Sequence, residues 1–168
     1  MGAWLDNKKH GFGVAMNADG SQYSGEWMCG IRHGSGVEEH PGNVARYEGE
    51  WRNNFRCGRG LATFRNGSRY EGEWLEGRRH GEGTAWYADG SMYHGSWDKG
   101  ARSGYGKLVR ADGSEYSGEW RNNKQNGPGV WAGPNGMDRF EGILKDGLPS
   151  SATPVIICCS SGLPPKVK

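Results

Sequence analysis

Three histidines, His10, His33 and His80, each stand immediately before a Gly-x-Gly pair, a recurrence that first suggests a metal or catalytic cluster. If one structural unit is copied along a sheet, equivalent atoms in adjacent hairpins lie about 9 to 10 Å apart. Zinc needs every ligand atom within roughly 2.3 Å of one ion, so the histidines read as turn-stabilising residues and no metal site is expected. The glycine pairs invite a nucleotide reading, but none completes GxGxxG. Gly106-Lys107-Leu108 lacks both the upstream glycine and the Ser or Thr of a P-loop. No GxSxG nucleophile elbow occurs either. Glu26, Glu50, Glu73 and Glu119 could serve as paired carboxylates for acid/base work. They too are repeat positions, on the face opposite the rings, so they are expected to solvate that face. No catalytic residue and no cofactor are expected.

What must position these residues is a repeat. Tyr23-Ser-Gly-Glu-Trp27, Tyr47-Glu-Gly-Glu-Trp51, Tyr70-Glu-Gly-Glu-Trp74, Tyr93-His-Gly-Ser-Trp97 and Tyr116-Ser-Gly-Glu-Trp120 start units spaced by 24, 23, 23 and 23 residues. Each is followed at a fixed offset by a glycine pair: Gly34/Gly36, Gly58/Gly60, Gly81/Gly83, Gly104/Gly106 and Gly127/Gly129. A fixed period of this length is the signature of a repeat architecture. A degenerate unit with Gly2, Trp4 and Gly11/Gly13 precedes them. Another follows as Phe140-Glu-Gly-Ile-Leu144-Lys-Asp-Gly147, giving about seven hairpins.

Within a unit, Tyr, Gly and Trp at i, i+2 and i+4 share one face of a strand, and Glu48 and Glu50, or Glu71 and Glu73, take the other. The second strand starts at the glycine pair, whose two members are expected to share a face and leave room for the rings. Ala18-Asp19-Gly20-Ser21, Asn66-Gly67, Ala88-Asp89-Gly90 and Ala111-Asp112-Gly113 supply the positive φ of tight turns. The two 24-residue units place Pro41 and Pro134 in these turns.

The pattern YxGxW, then xxGxxHGxG, then a turn such as Ala88-Asp-Gly-Ser91, closely resembles the MORN repeat family over residues 2 to 147. The expected fold is all-β: an elongated single-layer antiparallel sheet of thirteen or so strands, about 60 Å long at ~4.8 Å per strand. The array spans 1–147, and 148–168 is a separate Ser/Pro-rich segment. No helical apolar period supplies a second layer, so the ring-bearing face is the apolar surface to explain.

Composition excludes several classes. Glycine is 31 of 168 residues, about 18% against ~7% in ordinary chains, without the every-third spacing of collagen. A net charge of +2 is far from the footprint of a nucleic-acid binder. No leader-like stretch and no run of roughly 20 apolar residues is present, so a soluble cytoplasmic protein is expected. Met1-Gly2-Ala3-Trp4-Leu5-Asp6 carries the glycine of a myristoylation signal, but Asp6 stands where Ser or Thr is preferred. Cys29, Cys57, Cys158 and Cys159 lack CxxC spacing and read as free thiols. Around Val155-Ile-Ile-Cys-Cys159 the tail reads as disordered or as a strand covering the last hairpin, with S-acylation of the adjacent cysteines as the rival.

Charge gathers between Trp and the glycine pair. There Lys8, Lys9, Arg32, Arg52, Arg56, Arg78, Arg79, Lys99, Arg102, Arg121 and Lys124 face Asp6, Glu76 and Asp98.

Two binding functions follow, with an enzyme excluded. The first is a scaffold or adaptor holding a peptide or helix of a protein partner in an aromatic groove of Tyr47, Trp51, Phe64, Tyr70, Trp74, Trp86, Tyr93, Trp97 and Leu108. The resemblance implies ciliary, cytoskeletal or membrane-junction assemblies. The alternative is a peripheral protein that binds anionic phospholipid through a basic edge of Arg52, Arg56, Arg78, Arg79 and Arg102. A third, weaker reading is an accessory domain separated from an enzyme, since similar repeats occur fused to a lipid kinase and a methyltransferase.

Overall fold

The computed structural model describes residues 2–41, 44–134, 136, 138–150 and 156–159. It divides into two compact units, Met1–Ala88 with Trp97–Gly100, and Asp89–Ser96 with Ala101–Lys168. In the first, β1 (Gly2–Leu5), β2 (Lys8–Met16), β3 (Gln22–Met28), β4 (Ile31–Glu39), β5 (Val44–Arg52), β6 (Phe55–Phe64), β7 (Arg69–Leu75) and β8 (Arg78–Trp86) pair antiparallel in chain order. Strand β9 (Met92–Asp98) contributes residues to both units. In the second, β10 (Ala101–Val109), β11 (Glu115–Arg121), β12 (Lys124–Ala132), β13 (Asp138–Lys145) and β14 (Leu148–Pro149) pair in the same way, and β15 (Ile156–Cys159) lies antiparallel against β13. No helix occurs among the described residues. The fold is the all-β, open antiparallel sheet of consecutive hairpins that the repeat predicts. The two strands beyond thirteen, β14 and β15, come from the segment after Gly147. The rest of that segment, with the disorder expected of it, falls outside the described residues, as do the cysteine side chains at 158 and 159.

Backbone chemistry explains why these residues make hairpins. The two-residue loops Cys29-Gly30, Asn53-Asn54, Glu76-Gly77 and Asn122-Asn123 have positive φ at both positions, the requirement of the type I′ turn that matches strand twist. Asn and Gly accept that conformation at least cost. At the other end of the hairpins the Asp-Gly-Ser turns close as expected, with φ of 81° at Gly20 and 83° at Gly113. The Asp19 carboxylate accepts from the Ser21 N–H at 2.9 Å and its hydroxyl at 2.6 Å, and Asp89 and Asp112 repeat the arrangement. These hydrogen bonds from serine, hydroxyl first and N–H second, hold all three carboxyls below the usual aspartate range.

The sheet builds its core on one face without a second layer. Tyr23, Tyr47 and Tyr70 in the first unit are each at most 1% exposed, and each lies edge-on between two indoles at 5.1 to 5.3 Å, its own Trp and the next one along. In the second unit Tyr93 and Tyr116 flank Trp120 at 5.2 and 5.4 Å. Such edge-to-face pairs contribute roughly 0.5–1.5 kcal/mol each beyond burial. The polar ends are satisfied as well: each Tyr hydroxyl donates to the carbonyl three residues on, and each indole N–H to the second glycine of the preceding pair, as Trp74 does to Gly60 O at 3.1 Å.

Burial pushes the Tyr23 and Tyr116 phenols up to about 12, and those of Tyr47 and Tyr70 higher still. A group whose folded pKa is raised stabilises fully below its unfolded value and loses that contribution as pH climbs through the folded one. Stability is therefore expected to hold below about pH 10, the unfolded tyrosine pKa, and to fall between there and pH 12. In a chain with Tyr87 and Tyr105, the tyrosines outside the buried core, changed to Phe, phenolate absorbance should rise together with loss of the far-ultraviolet sheet signal. Phenolate formation ahead of unfolding in that variant would contradict the burial.

Candidate binding faces

The glycine pair does two jobs rather than one, a correction to the expectation that both members lie beneath the rings. The second glycine does: a Cβ on Gly83 would sit 2.6 Å from Tyr70 Cζ, and closer still to its hydroxyl. The first lies in a bulge. Gly49 pairs with Gly60 and Glu50 with Cys57, which leaves Gly58 and Arg59 without partners on the β5 side while they stay paired with β7, and Gly58 has a φ of 54°. The glutamate that precedes Trp reaches into the bulge at Gly34, Gly58, Gly81 and Gly127, and Ser96 takes its place at Gly104. Glu26, Glu50 and Glu73 accept the N–H of Ser35, Arg59 and Glu82 at 2.9, 2.8 and 3.1 Å. The carboxylates thus cap the bulges instead of merely solvating a face. Their recurrence one residue before Trp, opposite a residue flanked by glycines, was the available signal.

The histidines sit beside these bulges. His10 Nδ1 accepts from the Cys29 N–H at 3.5 Å, and His80 Nδ1 lies 3.5 Å from Asp98 Oδ1. The buried His33 Nδ1 has no hydrogen-bond partner among the described residues. No group of three or more metal-ligating side chains comes together among the described residues. Cys29 and Cys57 are free, and burial raises the Cys57 thiol.

The arginines divide into two sets. Arg32, Arg79 and Arg102 lie over Trp51, Trp97 and Trp120 at 4.4, 4.2 and 4.3 Å. Each also donates to a carbonyl of the next two-residue turn, Arg32 to Asn54 O at 3.2 Å, Arg79 to Gly100 O at 2.9 Å and Arg102 to Asn123 O at 3.0 Å. Arg56 is the exception, standing back at 5.8 Å from Trp74 and 4.9 Å over Tyr47. Glu38 explains the shift: it replaces the alanine found at 62 and 85, is buried, and binds Arg32 and, at 2.7 Å, Arg56. Of the proposed lipid edge, then, Arg56, Arg79 and Arg102 belong to the covering of the rings. Arg52 and Arg78 stand exposed at the turns. A cation five residues after Trp27, Trp51, Trp74 and Trp97, replaced by Gln125 after Trp120, was the periodic signal for this stacking.

The aromatic groove is corrected in the same way. Tyr47, Trp51, Tyr70, Trp74, Tyr93 and Trp97 are the core, 0 to 6% exposed, so a partner cannot reach their rings. Of the flanking residues, Leu108 pairs with Tyr116 and Phe64 follows Ala62 by two, which places both half-buried on the tyrosine face. Trp86 does not join them. It pairs with Arg69 on the opposite face, under that guanidinium at 3.8 Å, because it follows the core residue Ala85 by one position and strand side chains alternate.

A family model described as MORN repeat matches residues 1–22, 23–43, 47–69, 70–92, 93–115 and 116–137. No curated protein matches the chain. Among solved structures, the SAS-4 (dCPAP) TCP domain in complex with a proline-rich motif of Ana2 (dSTIL), from Drosophila melanogaster, is similar at 16% identity and a TM-score of 0.40, over 80% of this chain and 89% of that one.

Proposed function

Because the chain belongs to the MORN-repeat family, we propose that it is a non-enzymatic cytoplasmic scaffold that binds a protein segment along its tyrosine face. The observation that carries this reading is the make-up of that face above the core. Guanidinium groups lie over the indoles at repeat intervals, and half-buried apolar side chains, Phe64 in the first unit and Leu108 in the second, stand at positions the repeat does not fix. Fixed cations beside apolar anchors suit a segment with acidic and apolar residues on one side, such as an amphipathic helix. The family's settings extend the proposal to ciliary, cytoskeletal or membrane-junction assemblies.

Partner capture by Phe64→Ser and Leu108→Ser tests it, with Trp86→Ser as the opposite-face comparison and circular dichroism to confirm the sheet. Each tyrosine-face variant is expected to lose roughly tenfold or more in affinity, the weight of one apolar hot spot, and Trp86→Ser little. Undiminished capture by both would remove the tyrosine face as the partner site.

One observation favours the phospholipid reading as a second function. At the type I′ turns of the first unit, exposed Phe55 pairs with Arg52 and exposed Leu75 with Arg78, the apolar-plus-basic pairing that suits an anionic bilayer surface. Sedimentation with phosphatidylserine vesicles should then fade with added salt and with Arg52→Ser plus Arg78→Ser. Binding that persists at high salt would exclude it.

A further inference from the structure

On the face opposite the tyrosines, one repeat keeps its bulge glutamate but lacks the N–H that should serve it. Glu26, Glu50 and Glu73 each receive a bulge N–H. The corresponding donor for Glu119 would be residue 128, which is Pro128 and has no N–H to give. The Glu119 side chain still folds over its bulge glycine, with Oε2 2.5 Å from where a Gly127 Cβ would lie. Its carboxylate receives no hydrogen bond among the described residues.

What surrounds that carboxylate is equally particular. Tyr105 is its direct cross-strand partner and is 65% exposed. Pro128 pairs with Ile143, itself 47% exposed, and Ser117 with the half-buried Val130. Together these residues line a shallow cavity of about 560 Å³ floored by Gly118, Gly129 and Gly142. Glu141, at its rim, is already engaged by Arg139 at 2.9 Å, and Lys107 by Glu115 at 2.6 Å. Elsewhere Phe12 stands opposite Glu26 in the same register, so ring and carboxylate are paired there too, but Ser35 occupies that carboxylate.

We infer that this cavity is a binding site for an arginine side chain of a partner peptide, with an apolar neighbour of that arginine resting on Val130 and Ile143. A guanidinium can lie flat on the Tyr105 ring while its fork donates to Glu119, which satisfies both partners at once. The chain uses the first half of this geometry internally, where Arg69 covers Trp86 at 3.8 Å. Charge decides the occupant: the one unserved carboxylate calls for a cation, and a planar one matches the ring. The site lies on the face opposite the one proposed above, so either can fail without the other.

The test is an amide chemical-shift titration of the full chain with the capped tripeptide acetyl-Leu-Arg-Leu-amide and its citrulline counterpart, which keeps the shape and removes the charge. Saturable shifts are expected at the amides of residues 105, 117–119, 129–130 and 141–143, with citrulline binding weaker by about tenfold or more, as for a lost charged hydrogen bond. Glu119→Gln should lose as much while leaving the thermal midpoint nearly unchanged, since it caps no N–H, and Tyr105→Ser should also weaken binding. Pro128→Ala restores the missing donor and should weaken binding by occupying Glu119. Equal binding of the citrulline peptide, unchanged binding by Glu119→Gln or Pro128→Ala, or shifts that map elsewhere would overturn the assignment.

Discussion

Replacing Gly83 by valine is expected to lower the thermal midpoint by roughly 10 °C, from about 3 kcal/mol of overpacking in a chain of this size. Its neighbour Glu82→Ala should cost no more than about 0.5 kcal/mol, as exposed substitutions usually do. Only a side chain at 83 enters the space of the Tyr70 ring, which is fully buried and has Trp74 and Trp97 edge-on to it at 5.2 Å. The ring cannot retreat without breaking its hydroxyl bond to Glu73 O at 3.0 Å. The exposed Glu82 contributes its backbone N–H to Glu73, and alanine keeps that donor. Thermal melts followed at the far-ultraviolet sheet signal decide the matter. Equal losses would mean that the rings do not rest on the glycines.

Trp74→Ala should be costlier still, about 4 kcal/mol, in the range for emptying an aromatic site in a core. Three contacts go at once: the edge-to-face pairs with Tyr47 and Tyr70, both at 5.2 Å, and the indole bond to Gly60 O. Because each ring touches only its neighbours along the sheet, the loss should concentrate in β5 to β8, where amide hydrogen exchange would show it. Trp86→Ala, half-buried on the other face, should cost far less in urea unfolding. A similar loss for both tryptophans would contradict the assignment of the core to one face.

The hairpins, their turns and the face carried by Tyr and Trp were legible because each rests on strand alternation or on glycine at positive φ, and those are local properties. Which residues bury the rings was not. Alternation identified an apolar face and left it bare, whereas the rings turn edge-on and cover one another under guanidinium groups, an arrangement that depends on contacts between repeats. Trp86 leaves the expected groove for a simpler reason: its place one residue after Ala85 assigns it to the opposite face. The bulge between Gly58 and Gly60 hid the role of Glu50, since two unpaired residues shift the register that alternation assumes. Pro128 carried its meaning only once the Ser35, Arg59 and Glu82 N–H groups were seen to donate to glutamates.

The repeated Tyr and Trp side chains are consumed in holding the sheet, so the proposed partner site on the tyrosine face rests on residues that differ between repeats. The most direct test is site-specific photo-crosslinking in cells, with benzoylphenylalanine placed in turn at positions 64, 108 and 86. Crosslinks to one common protein from positions 64 and 108, with none from 86, are the result predicted here. Crosslinks to that protein from 86 alone, or equally from all three, would contradict a partner bound along the tyrosine face.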